Sequence, residues 1–355
     1  MKIKDITAKK VKLELYQLVV IAIGTIDYCE TVIVKIETDE GLIGYGEGTG
    51  VTFVTGESVD TIIQAIGILK KELLGLDAFS IDTIHRVMDK TLVHNASAKA
   101  AIDLALYDIM GKYAKLPLYR LLGGIAKQME TDMTIGIGTP EEMAKEAVKI
   151  VKQGFLHIKV KAGMNPDDDI EAVRQIREAV GKSIHLKVDA NQGWSVGDAI
   201  RVMQRFAEYG VEAVEQPVPH WDMDGLSFIR SKSPVSIMAD ESCFTPQDAI
   251  KLIKKDAVDL INIKLMKCGG LYRALQINAI AEASGIRCML GCMMESRLGI
   301  AAGAALVASR SNFIYGDLDS FLHFKENDQV KGGFTSDGPH ITLSDGYGLG
   351  IEVDF

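Results

Sequence analysis

The chain has 355 residues, enough for one large or two medium domains, and its 47% hydrophobic and 25% charged content is ordinary for a globular protein. The formal charge is −9 and no Lys/Arg cluster occurs, which argues against a nucleic-acid partner but leaves a small charged substrate open. No apolar run reaches membrane-span length, and LVVIAIG at 18–24 is too short and follows no basic segment, so no membrane anchor and no signal peptide are expected and a cytoplasmic location is.

The first third reads as an α+β unit. TVIVKIET (31–38), DEG (39–41) and LIGYGEG (42–48) form a β-hairpin pattern. Helical patterns follow near 58–74, 80–91 and 96–114. From about residue 130 the rhythm changes. TDMTIGIG (131–138) reads as a strand. The next helix has Thr139 as N-cap, Pro140 at its first position, Glu142 closing a capping box and Gly154 past its end.

Strand LHIKVKAG (156–163) follows, and the alternation continues. Helices are expected near 167–180, 195–209, 222–232, after Thr245-Pro246, and near 271–285 and 297–309. Strands are expected at 184–190, 211–217, 235–241, 258–265, 287–292 and 313–319. Eight strand units with helices between them, and no glycine-rich dinucleotide loop after the first strand, favour a barrel of parallel strands over a doubly wound open sheet. The five cysteines, Cys29, Cys243, Cys268, Cys288 and Cys292, are odd in number and match no zinc spacing, so reduced thiols are expected.

Lys159 and Lys161 alternate with Ile158 and Val160 and therefore share one face of their strand. Two like charges so close are expected to depress each other's pKa, and a lysine nearer neutrality can act as a base. A K-x-K pair is also common on solvated edge strands, so the pair decides nothing alone.

Active sites of such barrels gather at the C-terminal strand ends. The charged residues closing the strands are Lys161, Asp189, Glu215, Asp240 and Lys264, then Asp317 and Asp319. Gaps of 24 to 28 residues separate the first five, about one strand–helix unit each. Asp189, Glu215 and Asp240 on neighbouring strands would repel one another without a cation, and hard oxygen ligands suit Mg²⁺, with Mn²⁺ as a substitute. The alternative is isolated strand-end acids salt-bridged to helices. Lys161 and Lys264 flank the three acids, whereas Lys267 is assigned to a loop beyond the strand. A metal between two amines suits proton transfer. One amine would remove an α-proton beside a metal-held carboxylate, and the other would return a proton to the opposite face.

KVK, VDANQGW, VEQPV, ADES and NIKLMKCGG, at these spacings, resemble the enolase superfamily in its muconate-lactonizing-enzyme-like branch, over essentially the whole chain. The resemblance implies an α/β fold: a (β/α)7β TIM-like barrel at 126–325, an α+β capping domain at 1–125, and a C-terminal segment at 326–355 returning to that domain. It implies Asp189, Glu215 and Asp240 as metal ligands, Lys161 and Lys264 as the acid/base pair, Lys159 as support for the substrate carboxylate, and Asn191 as an orienting neighbour.

Asp317 and Asp319 form a D-x-D that, with GCMMES (291–296), resembles the dipeptide epimerases of this superfamily, where such a pair binds the substrate α-ammonium. N-acylamino-acid racemases and o-succinylbenzoate synthases, the alternative, have no free amine to bind. A non-catalytic metal-binding protein is the alternative from another class. Strand seven, RCMLGCMM, has no histidine of the sugar-acid dehydratase kind. Capping loops near 16–30 and 47–57 are expected to cover the substrate. Members acting on Ala-Glu carry a basic residue in the first loop, but residues 15–30 contain no Lys or Arg, with Gly24 near that place and Ile26 beside it. Gly24, Ile26, Met293 and Met294 are therefore expected to contact a hydrophobic second residue of a dipeptide. A cationic side chain read by Asp27 or Glu57 is the runner-up. A homo-oligomer is expected.

Overall fold

The computed structural model describes residues 1–16, 19–21, 24–26, 29–325 and 329–355, with side chains described outside 17–28 and 326–328. The chain opens with β1 (Ile3–Leu13), β2 (Val19–Ile21), β3 (Gly24–Ile26), β4 (Cys29–Thr38) and β5 (Ile43–Thr49). β1, β4 and β5 make one antiparallel sheet, and β4–β5 is the expected hairpin. The sequence reading did not find β1. Its register shifts between Ile3 and Asp5, and its burial does not alternate cleanly, so the period-two signal is broken.

Three helices follow where the periodicity places them: α1 (Val59–Leu73), α2 (Ile81–Thr91) and α3 (Ala96–Ala114). α3 is buried almost all round and lies directly on β5. Gly44, Gly46 and Gly48 explain the close approach. A Cβ on each would stand 2.1, 1.9 and 2.6 Å from the carbonyl oxygens of Ala105, Ala101 and Ser97. After α4 (Leu118–Leu121) and β6 (Gln128–Glu130) the barrel begins.

The barrel runs β7 (Met133–Ile135), α5 (Pro140–Lys152), β8 (His157–Lys161), α6 (Pro166–Val180), β9 (His185–Asp189), α7 (Val196–Glu208) and β10 (Val211–Glu215). It continues with α8 (Met223–Lys232), β11 (Ser236–Ala239), α9 (Pro246–Lys254), β12 (Leu260–Lys264), the single turn α10 (Leu265–Cys268), α11 (Leu271–Ala283), β13 (Arg287–Gly291), α12 (Arg297–Ser309) and β14 (Phe313–Asp317). The eight strands lie side by side in chain order, all parallel. The last strand faces the first, and the seam is bridged by Asp132 N–H donating to Gly316 O at 3.0 Å and Leu318 N–H to Thr131 Oγ1 at 2.8 Å. The helix after β7 starts with the expected capping box between Thr139 and Glu142.

The 3₁₀ turn η1 (Ser320–His323) leads into β15 (Val330–Gly332), β16 (Phe334–Asp337), β17 (His340–Leu343) and β18 (Ile351–Val353). β6 pairs with β17, and Leu349 N–H donates to Asp108 of α3. Among the described residues no helix is long and apolar enough to cross a membrane.

Two buried acids of the N-terminal part cap barrel helices. Glu47 accepts from Ser296 N–H (2.8 Å), Ser296 Oγ (2.7 Å) and Gly299 N–H (2.8 Å) at the start of α12. Asp103 accepts from Leu271 N–H at the start of α11 and is paired with His85 Nε2 at 2.7 Å.

Candidate active site

Register alone aligns two halves of a site. Lys161, Asp189 and Glu215 are successive partners across β8, β9 and β10. Lys264, Gly291 and Asp317 are successive partners across β12, β13 and β14. All lie at C-terminal strand ends, as the strand-end reading requires.

The carboxylates of Asp189, Glu215 and Asp240 are buried, and one oxygen from each lies within 4.8 Å of the others. Lys159 Nζ reaches across them, 2.7 Å from Asp317 Oδ2, 2.9 Å from Glu215 Oε2 and 3.2 Å from Asp189 Oδ2. Lys161 Nζ lies 2.7 Å from Asp189 Oδ2, and Lys264 Nζ 2.8 Å from Asp240 Oδ2. The two lysines therefore approach the acid cluster from different strands, β8 and β12.

The supporting polar groups are ordered. Asn191 donates its N–H to Asp189 Oδ1 at 2.9 Å and its amide to Oδ2 at 3.3 Å, from a backbone at φ 42°. Asn262 Nδ2 donates to Glu215 Oε1 at 2.7 Å. Gln216 Oε1 accepts from the N–H groups of Asp240 (3.0 Å) and Ser242 (3.1 Å).

The electrostatics are those of crowded acids among cations. Burial opposes charge on Asp189, but Lys161, Lys159 and Lys264 outweigh it and hold its pKa at about 2. Glu215 is pushed up to about 7 by burial and by Asp189. Burial alone would lower Lys159 and Lys264, but Asp317, Glu215 and Asp189 hold Lys159 well above the usual lysine value, and Asp240 leads the groups that raise Lys264. This corrects the expectation of mutual depression at Lys159: three carboxylates outweigh one neighbouring lysine.

The donor set fits a hard divalent cation. Three converging carboxylates would supply its ligands, and the buried oxygens Asn191 Oδ1 and Glu241 Oε2 beside them have no hydrogen-bond partner.

Asp317 and Asp319 face the same cavity of about 80 Å³ as Lys161, Lys264, Met293 and Met294. Asp319 Oδ2 accepts from Thr134 N–H at 2.8 Å and lies 3.6 Å from His323 Nε2. Asp132, missed in the sequence, comes within 4.8 Å of both acids and is ion-paired to Lys187 at 2.6 Å.

Other placements differ from expectation. Lys267, expected in a loop beyond the strand, is instead on a helical turn. It is buried on α10, ion-paired to Asp240 Oδ1 and 3.1 Å from Asn262 O. Glu57 is not available to read a substrate side chain. It accepts from Ser97 N–H (3.0 Å) and Ala98 N–H (3.2 Å) at the start of α3. Asp27 lies outside the described residues, and although Gly24 and Ile26 belong to β3, the Ile26 side chain and the surroundings of both fall outside what is described. All five cysteines are buried and unpaired. His323 was also missed, although its place one turn after Asp319 was the available signal.

Two family profiles match the chain: the mandelate racemase / muconate lactonizing enzyme N-terminal domain over residues 3–123 and the enolase C-terminal domain-like family over 142–355. The chain is 48% identical to the hydrophobic dipeptide epimerase of Enterococcus faecalis over 354 residues, 99% of this chain and 100% of that protein. It is 41% identical to the L-Ala-D/L-Glu epimerase of Clostridium acetobutylicum, covering 99% and 98%. The crystal structure of the dipeptide epimerase from Enterococcus faecalis V583 complexed with Mg and the dipeptide L-Leu-L-Tyr matches with a TM-score of 0.97 at 47% identity, covering 99% of this chain and 100% of that one.

Proposed function

Because the chain belongs to the mandelate racemase / muconate lactonizing enzyme family of the enolase superfamily, and is an isomerase, we propose that it inverts the α-carbon of the second residue of L,L-dipeptides with hydrophobic second side chains. The observation that carries this reading is one cavity shared by two lysines from different strands, Lys161 and Lys264, and by the Asp317–Asp319 pair.

Epimerisation needs a base on one face of the α-carbon and an acid on the other. Lys161 and Lys264 take these roles, one neutral and one protonated at the start of each turnover. Lys159, held cationic by its carboxylate partners, adds fixed positive charge where the substrate carboxylate would lie. Asp317 and Asp319 accept the α-ammonium and so set which carbon meets the lysines. Magnesium, held by Asp189, Glu215 and Asp240, would supply positive charge against the negative charge that grows on the carboxylate as the α-proton leaves. Manganese, with similar ligand demands, is expected to substitute.

Three things support the hydrophobic preference. Met293 and Met294 line the cavity, residues 15–30 carry no Lys or Arg, and the Enterococcus relative is named for hydrophobic dipeptides. The same reading divides the chain near 125 and 325, places it in the cytoplasm in keeping with five unpaired thiols, and has it self-associate, which light scattering would check.

The test is α-proton exchange. The protein is incubated with Mg²⁺ in D₂O against a panel of L,L-dipeptides, and the second residue's α-proton is followed by NMR. Loss of that signal with growth of the L,D diastereomer, fastest for hydrophobic second residues, is expected. If L-Ala-L-Glu has the highest kcat/KM, the hydrophobic preference is wrong. If only N-acylamino acids exchange, the dipeptide reading is wrong.

A further inference from the structure

We propose that His323 is a positioning residue for Asp319 and a proton-linked gate on the substrate's α-ammonium, an inference that rests on the dipeptide reading. The two acids of the pair are not equivalent. Asp317 is already occupied by Lys159 at 2.7 Å. Among the described residues, the cation within ion-pair distance of Asp319 is His323, at 3.6 Å. Asp319 otherwise accepts from Thr134 N–H and meets Cys292 Sγ at 3.9 Å. Asp319 is therefore the member of the pair without a lysine partner among the described residues, and the imidazolium competes for it with the ammonium of a bound dipeptide.

The imidazole is fixed in place. It ends η1, its side chain is 11% exposed, and it lines the cavity that holds the lysines. Its own carbonyl accepts from Tyr16 N–H at 2.9 Å, and Lys325 N–H donates to Glu14 O at 2.8 Å. The turn is thus tied to the chain that enters the 16–30 loop.

The charged groups around the imidazole can be named. On its own segment are Asp317 and Asp319. Cys292 stands on the turn after β13, near buried Glu295, whose carbonyl accepts from Ser320 Oγ. Lys159, Lys161, Lys264 and Glu241 line other parts of the cavity, and Lys325 pairs with Glu14 at the exposed edge. Burial disfavours the charged ring, but Asp319 and Asp317 outweigh it and hold its pKa above the ordinary histidine value.

The linkage has a definite sign. Below the pKa of His323 the imidazolium neutralises Asp319, and the ammonium must displace a proton to bind. Above it, Asp319 is free to take the ammonium. By reciprocity, a bound ammonium lowers the pKa of His323. KM for the ammonium form of a dipeptide should therefore rise as the pH falls, whereas a substrate without an ammonium should not show that rise.

The experiment uses the Mg²⁺-loaded enzyme, L-Leu-L-Tyr and its N-acetyl form. The ring resonance of His323 is assigned as the one missing from H323Q and is titrated free and with each ligand. The expected result is a titration moved down by about one pH unit by the dipeptide and unmoved by the acetylated form. In parallel, KM counted in the ammonium form of the dipeptide, whose amine itself titrates at about pH 8, should rise about fivefold from pH 8 to pH 6 in the wild type and stay flat in H323Q and H323N, with the effect in KM rather than in the shape of the kcat profile. Turnover with an unmoved ring titration, or with the same KM profile in the variants, overturns the gate and leaves the dipeptide reading standing. No turnover of any dipeptide overturns both.

Discussion

Lys267 shows what strand-end reading can and cannot find. The strand-end position identified Lys161, Asp189, Glu215, Asp240 and Lys264, because each sits at a repeated place in a repeated unit, and alternation along β8 added Lys159 on the face of Lys161. Lys267 lies past the strand, and only the turn of α10 swings it back under Asp240. Removing one partner of a buried ion pair leaves the other charge uncompensated. Lys267→Met should cost about 3 kcal/mol in urea unfolding, even though Lys264 still contacts Asp240. The two lysines proposed as acid and base should separate by substrate face. Lys161→Ala and Lys264→Ala should each lose about 10³-fold or more in epimerisation. Each should still exchange the α-proton of one epimer in D₂O, and a different one in each variant. If both exchange the same epimer, the two-face assignment fails. Asp319→Asn should lower kcat/KM for dipeptides about 100-fold while sparing N-acylated acids.

At the scale of elements, the helices that punctuate themselves were legible. Thr139-Pro140 with Glu142 and Thr245-Pro246 announce their starts locally, and both carry complete capping boxes. Helix α3 is different, because it is buried on nearly every side and its N-terminus is capped by Glu57 from 40 residues away. The glycines of LIGYGEG read as part of a hairpin, but their purpose is the helix backbone lying against them. Gly46→Ala puts a methyl carbon 1.9 Å from Ala101 O, with backbone rather than a flexible side chain in the way. It should destabilise by about 3 kcal/mol, with loss of the helix–strand contact seen as faster amide exchange along α3. A change below about 0.5 kcal/mol would mean that α3 can slide off the sheet.

For the whole molecule, the barrel followed from counting strands and helices, whereas its closure did not. The seam rests on Asp132 and Thr131, which precede β7 and meet the far end of the chain, and nothing local marks them. With magnesium held by the acid cluster as proposed, the ion should stabilise the folded state, since ligands drawn from three strands do not assemble in an unfolded chain. At magnesium about 100-fold above its dissociation constant, the folded state should gain about 2.7 kcal/mol, read by calorimetry as a rise in Tm that EDTA reverses. Glu47 and Asp103 carry a consequence for the order in which the chain leaves the ribosome. Both are made early, yet the amides they cap come 249 and 168 residues later. Until residues 271 and 296–299 emerge, strand β5 and helix α3 each hold an acid destined for burial with its donors still missing. The N-terminal part should therefore stay incompletely packed during most of synthesis, and an isolated barrel fragment should lack the Glu47 and Asp103 carboxylates at the starts of its last two helices, with Ser296 alone left to cap α12.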